Sequence, residues 1–131
     1  MVLNKKQALL AAGASAAFAL LAAPGAAMAQ KTAPLSFVAS PEVYKVIADG
    51  KDYRIILATW QPGQRDIWHS HPEKGTYFVT PCSLRILNPD GSHRDFNNVP
   101  AGAASVRPPV SSHEAQNIGS SVCKLVLFEP K

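Results

Sequence analysis

The sequence predicts an all-β protein, built as a sandwich or a small barrel, and three observations carry this prediction. Short segments rich in β-branched and aromatic residues recur from residue 43 onward, and turn residues separate them. No window after residue 30 shows a sustained helical period, and prolines interrupt the chain repeatedly. The spacing of the segments does not repeat, which excludes a solenoid or a propeller.

The expected strands follow from these boundaries in order. "VYKVIA" ends at the turn "DGKD", "YRIILATW" ends before the Pro62-Gly63 pair, and "NPDG" separates "SLRIL" from "HRDFNNV". We therefore expect strands at residues 43–48, 53–60, 83–87, 93–99, 103–108 and 121–129. Residues 30–42, rich in Ser, Pro and Ala, are expected to form a lead-in that packs only loosely.

The first 29 residues are expected to be a cleavable signal peptide. Lys5 and Lys6 precede an apolar run, and Ala27-Met28-Ala29 has the small-x-small pattern of a cleavage site. The run is shorter than the roughly 18 residues of a membrane span. We expect a periplasmic or secreted protein with no membrane anchor after cleavage, consisting of one domain at residues 30–131.

The charge of the mature chain argues against nucleic-acid binding. Loss of Lys5 and Lys6 reduces the 13 basic residues to 11, against 9 acidic ones. The remaining cations are scattered singly, so they form neither a nucleic-acid stripe nor a polybasic membrane patch.

Cys82 and Cys123 have two readings that the sequence leaves open. An oxidising compartment permits a disulfide between them. Each could equally be a small buried apolar side chain, because cysteine is among the most buried residue types.

His69 and His71 are the first candidate functional residues. They flank a single serine in "WHSHP", so on an extended strand both imidazoles leave the same side of the chain. Neutral imidazole is the most common metal ligand in proteins. Such a pair by itself is weak evidence, since isolated histidines are more often satisfied by solvent or by a neighbour.

A second stretch, "GAASVRPPVSSHEAQNIG", strengthens this interpretation. The two stretches together resemble the paired motifs of the cupin family, in which a glycine, five residues and His-x-His are followed later by a second glycine, a proline, a histidine and an asparagine. The matching residues are Gly63, His69 and His71 in the first stretch and Gly102, Pro108, His113 and Asn117 in the second. The resemblance covers residues 53 to 128, nearly all of the mature chain, and is to the small single-domain members.

The resemblance implies a small jelly-roll barrel, also called a double-stranded β-helix, with its ligands pointing inward. It implies one divalent metal ion held by His69, His71 and His113, with Zn, Fe, Mn, Ni and Cu all compatible. It also implies a small-molecule ligand or substrate, and a homodimer paired through a sheet edge.

The chain departs from the family pattern at Gly75, where most metal-binding cupins have a glutamate ligand. Three neutral imidazoles leave a bound ion with its full +2 charge, and some cupin dioxygenases use three histidines alone. Glu73 could substitute, although a solvated loop residue is the simpler interpretation. Tyr77 shares the parity of the histidines, which predicts that it points into the barrel.

Two functions compete at this stage. The first is a metal-dependent dioxygenase or isomerase acting on a small oxygen-bearing molecule, and the second is a cupin that binds metal or a small ligand without turnover. A third reading is that no metal binds and that the histidines bond to one another through water. Arg65 and Arg107 could hold a carboxylate at the barrel mouth, but such residues are more often surface charges.

Overall fold

The computed structural model describes residues 31–131, so the expected signal peptide lies outside the described residues. Within this range the chain forms nine strands and one short helix, α1 (Ser36–Ala39). The strands are β1 (Tyr44–Asp49), β2 (Tyr53–Trp60), β3 (His69–His71), β4 (Lys74–Phe78), β5 (Cys82–Leu87), β6 (His93–Val99), β7 (Ala104–Arg107), β8 (Val110–Asn117) and β9 (Cys123–Pro130). The all-β prediction is confirmed. No helix in this part of the chain has the length and apolar character needed to cross a membrane.

Two sheets enclose the core. One contains five strands in the order β1-β2-β9-β4-β7, and the other contains four in the order β3-β8-β5-β6. Every pairing between these strands is antiparallel, and non-consecutive strands lie side by side, as in a double-stranded β-helix.

Alternation of side chains directs each strand toward this core. In β9, Cys123, Leu125 and Leu127 are buried while their neighbours face outward. Ile56 and Ala58 of β2 pack against them and are inaccessible to solvent. Burial of each large aliphatic side chain contributes about 1.5 to 3 kcal/mol, so the apolar interior is what holds the two sheets together.

The lead-in segment is more ordered than the sequence suggested, and the expectation of loose packing was wrong. It contains α1, and Ser36 and Ser40 are fully buried. The Ser40 hydroxyl accepts a hydrogen bond from the Ile67 amide at 2.9 Å, and the Ser70 amide donates to the Pro34 carbonyl at 2.8 Å. These two hydrogen bonds clamp the segment beside the strand that carries the histidine pair.

Cys82 and Cys123 form a disulfide with a Cα–Cα distance of 5.0 Å. The bond joins β5 of the four-stranded sheet to β9 of the five-stranded sheet. Both residues are also buried in the core. Of the two readings left open by the sequence, the disulfide is the one that the structure shows, and the cross-link ties the sheets together at one end.

The motif residues outside the histidines have structural roles. Gly63 and Gly102 both have positive φ, at 78° and 85°, a conformation that a residue with a side chain rarely adopts. Asn117 is fully buried, and its amide donates to the Trp60 and Ser121 carbonyls. The glycines thus allow the turns after β2 and before β7, and Asn117 joins the end of β8 to the end of β2 and to the loop before β9.

Candidate metal centre

The register between β3 and β8 brings the histidines of the two motifs together. His69 and His113 are direct partners across the antiparallel pair, and a register shift separates His69 from His71. Directly opposed side chains of an antiparallel pair start about 5 Å apart, so the imidazoles meet without further rearrangement.

The three rings converge on one point. His69 Nε2 lies 3.0 Å from His71 Nε2 and 3.0 Å from His113 Nε2. One nitrogen from each ring lies within 4.8 Å of the others. His69 is fully buried, His71 is 5% exposed, and His113 is partly buried. The convergence expected from the two motifs is thus present in the fold.

The outer nitrogens of two rings are fixed by acceptors. His69 Nδ1 lies 2.7 Å from the Ile67 carbonyl oxygen, and His71 Nδ1 lies 2.6 Å from a Glu129 carboxylate oxygen. With the Ile67 carbonyl and an ionised Glu129 as acceptors, we assign the ring proton to Nδ1 in both residues, so in the neutral rings Nε2 presents a bare lone pair. Two bare lone pairs face each other across 3.0 Å, an arrangement that favours a cation between them.

Burial keeps these imidazoles neutral. Desolvation lowers the pKa of His69 to about 4 and that of His113 to about 3, and it lowers the pKa of His71 well below its ordinary value. The positive charge of Lys74 adds to the effect at all three rings. Neutral imidazole is the form that binds a metal ion, so no proton has to leave at neutral pH.

The donor set therefore fits a divalent metal ion. Metal–nitrogen bonds of about 2.0 to 2.1 Å place adjacent ligand nitrogens about 3 to 3.4 Å apart. The two separations from His69 Nε2 are 3.0 Å, and all three ligand nitrogens lie within 4.8 Å of one another. The Glu129 carboxylate, 1% exposed, orients His71 and makes its free nitrogen more basic.

A buried hydrogen-bond network supports the other side of the centre. The Tyr44 hydroxyl donates to Asp66 at 2.7 Å and lies 3.2 Å from His69 Nε2. Asp66 also accepts from the Trp60 indole at 3.2 Å and from the Ala115 amide at 2.7 Å. Desolvation raises the pKa of Asp66 to about 6 and that of Tyr44 well above its usual value, so the phenol stays neutral. A neutral oxygen is thereby held beside the three nitrogens.

Gly75 does not occupy an inward position, although it shares the sequence parity of His69, His71 and Tyr77 that predicted an inward one. The buried residues of β4 are Lys74, Thr76 and Phe78, whereas Tyr77 is 45% exposed and faces outward. The expectation for Tyr77 was therefore also wrong. Two residues separate β3 from β4, and this break reverses the alternation, because side-chain parity holds only along a continuous strand.

The outer position of Gly75 also shows what a side chain there would touch. A Cβ at this residue would lie 3.5 Å from the Phe128 side chain, on the face away from the histidines. Lys74, which precedes it, is the buried residue of β4 whose charge acts on all three imidazoles. A cation thus stands near the centre where the family pattern suggested an anion.

The other polar candidates separate clearly. Glu73 is exposed, which agrees with a solvated loop residue, and His93 is exposed beside its turn. Arg65 pairs with Glu114 on the outside of the barrel. For Arg107 a surface charge was the more usual of the two interpretations of the sequence, but the residue lines the interior cavity.

This cavity opens directly on the candidate metal centre. It has a volume of about 390 Å³, within the range of small-molecule sites. His71 and His113 form part of its wall, and most of the remaining wall is aliphatic or aromatic. The apolar lining comprises Trp60, Phe78, Leu84, Ile86, Phe96, Pro108, Val110, Ala115, Leu125 and Leu127. Such a wall offers water few hydrogen-bonding partners beside the ligand nitrogens.

Sequence reasoning missed several residues that touch or support the histidines, namely Tyr44, Asp66, Lys74 and Glu129. Of these four residues, only Glu129 could have been recognised from the sequence pattern. In "CKLVLFE" it continues the alternation of Leu125 and Leu127 and so is a glutamate at a core-facing position, which requires a partner.

Comparisons with known proteins agree with the observed fold. No protein-family model matches the sequence, and a search of curated proteins finds no significant relative. Among solved structures, a cupin domain from Bordetella pertussis Tohama I matches with 21% identity and a TM-score of 0.61, covering 68% of this chain and 92% of that one.

Two further structures show the same architecture. An RmlC-like cupin from Methanocaldococcus jannaschii is 12% identical with a TM-score of 0.54, covering 67% of this chain and 78% of that one. A double-stranded β-helix protein from Klebsiella pneumoniae is 20% identical with a TM-score of 0.53, covering 67% and 76%. At these identities the likeness establishes the fold alone.

Proposed function

We propose that this chain, a small cupin by fold, binds one divalent metal ion through His69, His71 and His113 and uses it on a small oxygen-bearing molecule. The convergence of three Nε2 atoms, two of them without protons in the tautomers assigned above, is the observation that carries the proposal. Oxygenation or isomerisation is the chemistry that we propose for the bound molecule.

A divalent ion at this position would supply Lewis acidity and a template for an oxygen ligand. The protein's own contribution is orientation and exclusion of water. The Ile67 carbonyl and Glu129 hold two imidazoles in a single tautomer and ring orientation. The Tyr44 hydroxyl donates its hydrogen bond to Asp66, and its oxygen lies beside His69 Nε2.

The charge balance supports an anionic or polar oxygen ligand. The three coordinating groups are neutral, so the charge of a divalent ion stays uncompensated within the ligand set. Glu129 and Asp66 are committed to hydrogen bonds with His71, Tyr44 and the Ala115 amide.

Export from the cytoplasm is part of the proposal. The disulfide between Cys82 and Cys123 supports it, because disulfides persist in oxidising compartments. The signal-peptide pattern of residues 1–29 supports it independently.

Elemental analysis of two histidine variants tests the metal site. We expect about one equivalent of metal in the wild type and in His93→Ala, whose imidazole is exposed and remote from the centre. We expect His113→Ala to lose most of the metal, because two neutral ligands bind a divalent ion far more weakly than three. Unchanged metal in His113→Ala would contradict the assignment.

Turnover is tested separately on the metal-loaded protein. Substrate-dependent oxygen uptake, or conversion of a substrate to its isomer, would select the enzyme. Bound metal without turnover across small oxygen-bearing molecules would select a binding protein.

A further inference from the structure

The interior cavity carries a strong excess of positive charge. Three cationic side chains line it, Lys74, Arg94 and Arg107, and no carboxylate does. Lys74 is buried near the histidines, where its charge acts on all three rings, whereas Arg94 is exposed to solvent. A cavity of this kind attracts an anion and repels a cation.

None of the three cations has an ion-pair partner among residues 31–131. The lysine and arginine ion pairs of this part of the chain are Arg65–Glu114, Arg85–Asp95 and Lys131–Asp49. Lys74 is the most informative, because its side chain is buried, at 8% exposure, and no carboxylate lies within 4.0 Å of it. The charge of Glu129 acts on Lys74 only from beyond that distance. A buried charge without a hydrogen-bonded ion-pair partner is costly, so an anion in the cavity would relieve part of that cost.

The positions of the two arginines are fixed by aromatic packing and by the sheet. The guanidinium carbons of Arg94 and Arg107 lie 4.9 Å and 5.1 Å from the centre of the same ring, that of Phe96. Arg107 is also the direct partner of Lys74 across β4 and β7. Stacking on one ring restrains both guanidinium groups and leaves their N–H groups free to bind a ligand.

Thr76 provides a second and independent indication of a polar ligand. Its side chain is 7% exposed and lines the cavity, and its hydroxyl has no hydrogen-bond partner among the described residues. Buried hydroxyl groups are almost always bonded. Three other buried polar atoms of the described residues, on Ser36, Arg54 and Ser105, also lack a partner, but of the four residues only Thr76 lines this cavity. The oxygen of a bound anion would accept its hydrogen bond.

We propose that the cavity binds a small organic carboxylate with an apolar body. Lys74 and Arg107 hold the carboxylate, with Arg94 adding charge, and Thr76 donates a hydrogen bond. The apolar body packs against Leu84, Ile86, Val110 and Leu127, all of which line the same cavity. This inference names the substrate class for the proposed function and rests on that function only for the catalytic role of the site, not for the binding itself.

Matched probes test the inference without knowledge of the natural ligand. Binding of benzoate, benzamide, butyrate, butyramide and inorganic phosphate to the full chain is measured by calorimetry, once metal-loaded and once after chelation. We expect benzoate and butyrate to bind at least about tenfold more tightly than their amides, because only the carboxylates pair with the buried charge. We expect phosphate to bind more weakly than benzoate, because it has no body to pack on the apolar wall.

Variants locate the binding. We expect Lys74→Met and Arg107→Gln each to weaken benzoate binding by about 10- to 100-fold, the usual range for loss of a charge-assisted hydrogen bond. Benzamide binding should change little. Lys124→Met, which removes an exposed lysine from β9 that does not line the cavity, is the matched control and should leave both affinities unchanged.

The outcomes separate this inference from the proposed function. The inference would be overturned if wild-type protein bound benzoate and benzamide equally, or bound neither benzoate nor butyrate. Either result would overturn it even if metal binds with full stoichiometry. This comparison uses wild-type protein only, so it does not depend on the folding of a variant. Retained preference for benzoate in protein that takes up no metal would support the inference while the proposed function fails.

Discussion

Replacement of Glu129 by glutamine tests the link between the buried carboxylate and the metal centre. Glu129 is 1% exposed and accepts a hydrogen bond from His71 Nδ1 at 2.6 Å. Glutamine keeps the acceptor oxygen and the shape but removes the negative charge. Loss of a hydrogen-bonded carboxylate behind a ligating histidine typically lowers metal affinity 10- to 100-fold, or about 1.4 to 2.7 kcal/mol. We expect Glu129→Gln to fall in this range.

The assay is competition for metal with a chromophoric chelator at pH 7. Glu114→Gln is the matched control, because Glu114 is also a buried glutamate and directly follows His113, but its carboxylate bonds Arg65 and none of the histidines. We expect its metal affinity to equal that of the wild type. Equal affinity in Glu129→Gln and wild type, with the disulfide and the strand content intact, would refute the argument that Glu129 strengthens His71 as a ligand.

Three further predictions follow from the same contacts. Because burial lowers the pKa of His69 to about 4 and lowers the others as well, protons compete for the site only near or below that pH. Metal affinity should therefore fall by less than about one order of magnitude from pH 8 to pH 5. A site of three histidines with ordinary pKa values would lose roughly four orders of magnitude over the same range. Chelator titrations at several pH values distinguish the two cases. Gly75→Glu should leave metal affinity unchanged, because residue 75 faces outward. Lys74→Glu, at the inward position, should raise metal affinity. A rise in Gly75→Glu and none in Lys74→Glu would contradict the observed direction of the side chains of β4. Removal of the disulfide in the double variant Cys82→Ala, Cys123→Ala should lower the free energy of unfolding by about 4 kcal/mol, because the bond closes a loop with a sequence separation of 41. Denaturant titration measures this loss. A loss below about 1 kcal/mol would show that the disulfide is not a major stabilising element.

Much of the fold could be predicted because local patterns determine it. The strand expected at residues 53–60 and that expected at 93–99 agree with β2 and β6. Gly63 and Gly102 mark turns that require positive φ, and this requirement is visible in the residue type itself. The lead-in segment was misjudged because its helix and buried serines depend on contacts with distant strands, which composition does not reveal.

The candidate site divides in the same way. The three histidines could be identified from the chain alone, because the His-x-His pair and the resemblance of both stretches to the cupin motifs depend only on residues near one another in the chain. The side chains that surround these histidines follow from contacts between distant strands, which the chain pattern does not show. The partner of His71 lies 58 residues away in β9, and the inward direction of Lys74 follows from a break between β3 and β4 that resets the alternation. Parity is a property of one continuous strand, whereas the charges around a buried centre come from strands that only the folded sheets bring together.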